Sequence, residues 1–276
     1  MESKSDLCTS AYNHFENGKY QNCYEILQKL DEKSDPVNTL YENNKSITLF
    51  YLENTTKPIQ LKDSLIKLLP NKIEKYTEDI SIILYNISLI EYNLKHYNSA
   101  LSRLEPLFEK ISDFSEFLAV KICFLLLEIY LILGKQHCNI IENANKVFNH
   151  LQKFSSLLKK PKKGNVKGTG AGSNNSQNNQ NENKTQGPPP VDANEFKYLF
   201  HLYKAKYNLF NKLVNQSIRE IKNCMSPANQ SVHPMFLKSN IEYLKENYDK
   251  SGWFNLLILF IYLIFFQFFF QFFTYF

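Results

Sequence analysis

The side chains able to bind metal or act as nucleophiles are spread along this chain without the spacing that such chemistry needs. The histidines and cysteines are His14, His96, His137, His150, His201, His233, Cys8, Cys23, Cys123, Cys138 and Cys224. They form no HxxxH with a glutamate, no CxxC and no zinc spacing. Phosphate-binding and nucleophile-elbow glycine motifs are also missing. The sequence therefore names no catalytic, metal-binding or cofactor-binding residue, and we expect a protein that is not an enzyme.

The cysteines fit ordinary helix packing better than redox chemistry. Each stands where a helix would place a small apolar residue, and their number is odd. The N-terminal sequence MESKSDLCTS has no apolar signal segment. Both observations favour a reducing, intracellular compartment.

Charge is concentrated at one place. The net charge is +5, and four of these charges come from the run Lys159, Lys160, Lys162 and Lys163 around Pro161. The rest of the chain is nearly neutral, whereas a phosphate-binding surface would spread Lys and Arg along one face. The aromatic residues Tyr92, Tyr97, Tyr130 and Phe124 recur at helical spacing, which is typical of a core rather than of RNA stacking. Direct nucleic-acid binding is not expected.

Any binding surface on this chain is expected to lie on helices. Apolar residues recur at 3.6-residue spacing in segments separated by short polar turns, without sustained alternation, which predicts an all-α fold. Two helical pairs share a register: Tyr20 and Tyr97 open second helices, and the small Cys23 and Ala100 follow three residues later. The predicted repeat-core residues are Ala11, Gly18, Tyr20, Cys23, Leu27, Leu84, Tyr97, Ala100, Leu104, Tyr130, Gly134, Tyr207, Tyr243 and Tyr248.

This arrangement resembles tetratricopeptide repeats, in which helix-turn-helix units of about 34 residues stack into a solenoid. Weaker copies follow around Tyr130, where Asn139 stands at the position expected for the small residue, and around Tyr207 and Tyr243. We expect repeats over residues 5–158 and truncated repeats over 192–250, with Asp192 as an N-cap. Residues 159–191 lack aliphatic bulk, which predicts a disordered linker.

Two segments outside the repeats allow more than one interpretation. The run Lys159, Lys160, Lys162 and Lys163 is a candidate nuclear-localisation signal, or a solvated helix end. The apolar tail at 253–276 contains ten of the 22 phenylalanines and no charge. It is long enough for a membrane anchor. We favour mistranslated sequence from a truncated gene model, because the tail interrupts a repeat and its residues have thymine-rich codons.

Several stretches resemble subunit 10 of the CCR4-NOT transcription complex more specifically than they resemble a generic repeat. They include AYNHFENGKYQNCYEILQKL, LYNISLIEYNLKHYNSALSRLEPLFEKI and FLAVKICFLLLEIYLILGK, and, after the linker, REIKNCM and FLKSNIEYLKENY. The resemblance covers about residues 5 to 250, which correspond to the N-terminal part of a longer family protein. The specificity lies in the last two segments, since the repeat consensus itself is degenerate.

The resemblance implies a non-catalytic scaffold subunit of the machinery that shortens poly(A) tails and represses translation, present in cytoplasm and nucleus. It implies as partners subunit 11 and the large scaffold subunit 1 of that complex. Candidate partner-binding residues beside the turns, expected to be exposed, are Asn13, Lys19, Glu91 and Lys95. The alternatives are a membrane tail-anchored repeat adaptor and a chaperone cofactor, although the repeats show no convincing carboxylate clamp.

Overall fold

The computed structural model describes residues 3–32, 38–134, 139–158 and 192–224, with Pro234, Leu237, Lys238 and Ile241. These residues form ten α-helices and no strand. The helices are α1 Lys4–Glu16, α2 Tyr20–Glu32, α3 Thr39–Leu52, α4 Pro58–Lys67, α5 Glu78–Asn93, α6 Tyr97–Glu109, α7 Glu116–Leu133, α8 Ile140–Leu158, α9 Ala193–Phe210 and α10 Val214–Cys224. The linker 159–191, the tail 253–276, Tyr243 and Tyr248 lie outside the described residues.

The helices stack as five consecutive hairpins. Each helix packs on the next along the chain, and α3, α5, α7 and α9 also pack on one another in a row. We call the odd-numbered helices the first helices and the even-numbered ones the second helices of five repeats. Because α9 packs on α7, the residues on either side of 159–191 continue one array. The prediction of an all-α, tetratricopeptide-like fold is confirmed.

In four of the five hairpins, the turn between the two helices has the same hydrogen-bond pattern. After α1, Gly18 has a φ of +70°, its N–H donates to Phe15 O, and the next N–H donates to His14 O. This is the Schellman motif, in which a left-handed residue satisfies the last carbonyls of a helix. The same pair of bonds recurs around Asn54, Lys95 and Lys212, all of which have positive φ. The turn therefore keeps this geometry even where its left-handed residue is not glycine.

Four of the five second helices, α2, α6, α8 and α10, share a register counted from a left-handed residue, namely Gly18, Lys95, Asn139 or Lys212. The fifth residue after it is small and buried in each case: Cys23, Ala100, Ala144 and Ser217. The ninth is large, apolar and buried: Leu27, Leu104, Phe148 and Ile221. A small side chain lets two helices approach closely, and the larger one fills the core one turn later.

Two features of the fourth repeat differ from the sequence expectation. Asn139 does not occupy the small-residue position but has a φ of +64° and precedes α8, so that Ala144 takes that position. Four residues, 135–138, lie between Gly134 and Asn139, and this longer connection shifts the register. Gly134 itself has a φ of +57°, and a Cβ placed there would lie 3.5 Å from the Phe210 ring.

Two hydrophobic clusters meet at α5. Ile83, Ile87 and Ile90 belong to the cluster of the first two repeats, which includes Ala11, Cys23 and Leu27. Leu84, Tyr85 and Leu89 belong to the larger cluster, which runs through α6, α7 and α8 to α9. A helix that is apolar on all sides is a buried helix, and α5 therefore lies at the centre of the array.

Candidate partner-binding surface

Three of the four candidate partner-binding residues lie at the surface beside the turns. Asn13, Lys19 and Lys95 are exposed. Asn13 lies in the last turn of α1, where its carbonyl accepts from the Asn17 side chain at 2.7 Å. Lys95 is the left-handed residue of the α5–α6 turn. These side chains are accessible along the edge of the array where first helices end.

The expectation that Glu91 is exposed is wrong. Glu91 is only 3% exposed, and its carboxylate pairs with Arg103 of α6, with Nε at 3.0 Å and a second guanidinium nitrogen at 3.4 Å. A buried carboxylate is retained at low cost only when it is paired and hydrogen-bonded. Glu91 therefore links the two helices of the third repeat instead of facing a partner.

The residues predicted to form the repeat core fall into two groups, those that are buried and those that are half-buried or exposed. Ala11, Cys23, Leu27, Leu84, Ala100, Leu104 and Tyr130 are buried. Tyr20, Tyr97 and Tyr207 are half-buried at hairpin ends and between helices, and Gly18 is an exposed turn residue. The Tyr207 hydroxyl contacts Asn145 Oδ1 at 3.0 Å, and the Tyr130 hydroxyl donates to Glu105 at 3.0 Å. Several tyrosines thus connect neighbouring helices through their hydroxyls.

Polar contacts also join first helices that are distant in sequence. The Asn86 amide donates to Asn43 Oδ1 at 3.1 Å, which joins α5 to α3. Lys206 of α9 pairs with Glu128 of α7 at 2.9 Å, and its amine lies 4.8 Å from the Tyr203 ring centroid. Sequence analysis missed these residues, since separations of 43 and 78 positions leave no local pattern.

Burial is the main cause of the pKa shifts of three side chains on α7 and α9. Burial lowers the pKa of Lys121 to about 8, against the opposing charges of Glu195 and Glu16. The Lys121 amine lies 4.5 Å from the Phe117 ring centroid. Burial likewise raises the pKa of Glu195, assisted by the charge of Asp192. The pKa of Tyr203 is raised by burial and by the Glu128 carboxylate.

Three of the described cysteines, Cys23, Cys123 and Cys224, have the environment of core thiols. Burial raises the pKa of Cys23 to about 11 and of Cys224 to about 12, and it raises the pKa of Cys123 as well. A nucleophilic or metal-binding cysteine needs a lowered pKa. Among the described residues, no group of three or more His, Cys, Asp or Glu side chains is placed to hold a metal ion.

Comparison with known proteins gives sequence relatives. The chain is 27% identical over 259 residues to CCR4-NOT transcription complex subunit 10-B of Xenopus laevis, covering 91% of this chain and 33% of that protein. Subunit 10-A of the same organism is 28% identical over the same coverage. The resemblance to CCR4-NOT subunit 10 is confirmed. A subunit 10 of Drosophila melanogaster is 22% identical over 162 residues, or 55% of this chain.

These relatives are longer proteins, and the chain spans about a third of their length. No family model matches it. A solved structure of Pseudomonas aeruginosa PilF, a tetratricopeptide-like protein, aligns with a TM-score of 0.52 at 13% identity, covering 94% of this chain and 91% of that chain. At this identity the likeness shows the fold alone.

Within the part of the chain that the structure describes, none of the helices is long and apolar enough to cross a bilayer. Even α7, with 18 residues, contains Glu116, Lys121 and Glu128. The tail 253–276 and the lysine run at 159–163 are not among the described residues, and the hypotheses about them stay predictions.

Proposed function

We propose that this chain is a non-catalytic scaffold subunit of a CCR4-NOT complex and contributes to mRNA deadenylation and translational repression by binding other subunits. The observation that carries the proposal is the match to CCR4-NOT subunit 10 over 91% of the chain. A stacked helical array supports it in kind, since such arrays present extended surfaces to other proteins.

The proposed partners are subunit 11 and the N-terminal region of the large scaffold subunit 1. The contact edge is the row of hairpin turns, where Asn13, Lys19 and Lys95 are exposed. Two lysines at one edge favour an acidic or polar complement on the partner. The compartments proposed with this role are cytoplasm and nucleus, and Lys159, Lys160, Lys162 and Lys163 would serve nuclear import.

Reconstitution tests the proposal directly. The full chain and the two partner subunits are co-expressed, and the complex is isolated through a tag on subunit 11. We expect co-purification at equal stoichiometry, and we expect the double change Lys19→Glu and Lys95→Glu to weaken it about tenfold, because reversing charges at an interface edge repels an acidic complement. The change Lys146→Glu, at an exposed position on α8, is the matched control.

Three outcomes distinguish the parts of this proposal. If the double variant Lys19→Glu, Lys95→Glu loses binding and the Lys146→Glu control does not, the result supports the row of hairpin turns as the contact surface. If the double variant binds as well as the unaltered chain, the scaffold role stands but the hairpin turns are not the contact surface. Failure of the unaltered chain to bind either subunit, combined with fractionation into membranes, contradicts the scaffold role itself.

A further inference from the structure

The fourth and fifth repeats are joined by the longest connection between the described helices. Thirty-four residues lie between the end of α8 at Leu158 and the start of α9 at Ala193, whereas six to ten residues join the other consecutive repeats. Loop-closure entropy grows with length, and it makes the docking of the fifth repeat about tenfold less favourable than a short connection would. The fifth repeat therefore depends more on its own contacts with the fourth.

Helix α9 carries one aromatic stripe. Its residues recur at intervals of four, three and four positions, which places them on one face of the helix. They are Phe196, Phe200, Tyr203 and Tyr207. The first three are at most 8% exposed, although they lie on a helix that the long connection leaves far from α8 in sequence. A helix with one apolar face of this kind binds a matching apolar surface.

The surface that receives this stripe belongs to α7 and α8. We call it the aromatic face of the fourth repeat, and it consists of Phe124, Phe148 and Phe154. The Phe124 ring stacks on Tyr203 with 5.3 Å between centroids. Phe154 meets Phe196 edge to face at 5.0 Å. Phe148 contacts two further rings of the stripe at 5.2 Å and 6.3 Å. Ring pairs at these distances add specific geometry to the burial of apolar area.

Polar contacts lie at the rim of this junction. Lys206 of α9 pairs with Glu128 of α7 at 2.9 Å, and the two side chains are 26% and 18% exposed. The Tyr207 hydroxyl contacts Asn145 Oδ1 at 3.0 Å and donates to Ile141 O at 3.3 Å, both on α8. An apolar centre with a polar, partly solvated rim is the arrangement found between separate proteins that bind each other.

We propose that the aromatic face of the fourth repeat is a binding surface that holds the fifth repeat of the same chain without a covalent connection. The array should then stay assembled when the chain is cut within residues 159–191. The insertion is accordingly a place where the chain can be cleaved without loss of its last helices. This inference concerns one junction between described helices and does not rest on the proposed scaffold function.

Cleavage of the full chain tests the proposal. A recognition sequence for a site-specific protease replaces residues 173–179, and the purified, folded protein is cut and passed through a size-exclusion column at low micromolar concentration. We expect the two fragments to elute together at the mass of the uncut chain and to separate in urea. Fragments that separate without urea would overturn the proposal. Elution at twice that mass would assign the surface to the fifth repeat of a second copy and would also overturn it.

A charge reversal at the rim tests whether this face is what holds the fragments. Lys206→Glu places a second carboxylate beside Glu128 and should weaken the association of the cut chain about tenfold. Adding Glu128→Lys restores opposite charges and should recover most of the loss. The matched control is Lys197→Glu, at an exposed position on the same helix. Dilution series on the column measure the dissociation constants.

Phe200→Ala removes a ring from the centre of the junction and should weaken the association more than Lys206→Glu does. Association that neither change weakens would overturn the assignment to this face. Because Phe200→Ala removes a buried side chain, its fold is checked on the uncut chain. If that variant is unfolded, the charge reversal and its rescue decide, since they alter a partly solvated contact.

Two native thiols report the folding of each part. Cys123 on α7 is fully buried, and Cys224 on α10 is 3% exposed within the cluster of the fifth repeat. Both should resist alkylation in the cut chain as they do in the uncut chain, because access to a buried thiol requires local opening. Rapid alkylation of Cys224 with Cys123 still protected would show that the fifth repeat has left the array, and this result would contradict the proposal.

Discussion

The third and fifth repeats have the same hairpin geometry but opposite charges at one position. Each second helix follows a left-handed lysine, Lys95 or Lys212. The eighth residue after it, Arg103 or Glu220, turns back to an ion pair with its own first helix. Arg103 meets Glu91, whereas Glu220 meets His201 at 2.7 Å and Lys204 at 3.3 Å.

This difference affects which helices can pair. The position of the ion pair on the second helix is shared, but its position on the first helix is not: Glu91 lies four residues before Lys95, whereas Lys204 and His201 lie eight and eleven residues before Lys212. In an α5–α10 hairpin with the geometry of the fifth repeat, Glu220 would lie opposite Ile87 and Leu84, and a largely buried carboxylate without its partners is costly. Ion pairs at different positions on the first helix therefore favour the correct helix pairing.

The largest expected effect comes from breaking the buried pair of the third repeat. The change Arg103→Met leaves Glu91 without its partner, and the Glu91 side chain is only 4% exposed. We expect a loss of about 2 to 3 kcal/mol in the free energy of unfolding, near the lower end for a broken buried pair because Arg103 is partly solvated. Urea denaturation measures the loss.

The control for this prediction is the exposed pair of Lys146 and Glu142 on α8. The change Lys146→Met should alter the free energy of unfolding by less than about 0.5 kcal/mol, as is usual for a solvated pair. Equal effects of the two changes would show that the burial of Glu91 does not govern stability.

The next-largest loss of stability is expected from enlarging the small buried residue that the third and fifth repeats share. Ala100 and Ser217 are fully buried five positions after the left-handed lysines. Enlarging either to leucine should cost about 2 kcal/mol, because extra methylenes force two closely packed helices apart. The change Ser99→Leu, at an exposed neighbour on α6, should cost much less. Thermal unfolding of the three variants separates close helix packing from a general effect of leucine.

Much of the repeat pattern could be predicted from the sequence because it is local. The apolar period, the turn at Gly18 and the spacing from Tyr20 to Cys23 and Leu27 all lie within one hairpin. The position of Asn139 could not be predicted in the same way, since a connection with extra residues shifts the register without an apolar signal. Ala144 shows the true register, five residues after the left-handed Asn139.

Contacts between elements were harder to predict than the elements themselves. Charged side chains beside turns are mostly exposed, which predicts a surface position for Glu91. Its burial follows from Arg103, twelve residues away on the next helix. The pairing of Glu128 with Lys206 spans 78 positions. Such pairs depend on how hairpins stack, which the composition of a single helix does not encode.

A smaller effect is expected at the reversed pair of the fifth repeat, and it depends on pH. Burial opposes the charge of Glu220, but hydrogen bonds from His201 and Lys204 outweigh it and lower the pKa below the ordinary 4.5. A lowered pKa stabilises the fold at pH values above the unfolded-state value, and this stabilisation is lost as pH falls through the folded-state value.

The change Glu220→Gln should cost about 1 kcal/mol at neutral pH, as for the loss of a charged hydrogen-bond partner. The difference from the unaltered chain should shrink as pH falls below about 4.5, where the unfolded chain binds the proton. Urea denaturation at pH 7 and at pH 3 measures both values. A difference that stays constant between them would mean that the charge of Glu220 does not contribute.

The smallest effect is expected from substitutions at the left-handed turn residues, which test backbone strain apart from side-chain packing. Lys95 and Lys212 have φ values of +62° and +61°, which L-residues adopt at a cost, whereas Gly18 has the same left-handed geometry without it. The changes Lys95→Gly and Lys212→Gly should each stabilise the chain by about 0.5 kcal/mol, since relief of strain is partly offset by unfolded-state entropy.

The opposite change, Gly18→Ala, should destabilise the chain by about 1 kcal/mol. Because a Cβ at Gly18 would meet no atom within 4 Å, this loss would come from the backbone alone. Chemical denaturation resolves the three values, and an unchanged midpoint for Gly18→Ala would show that the left-handed turn does not limit the choice of residue.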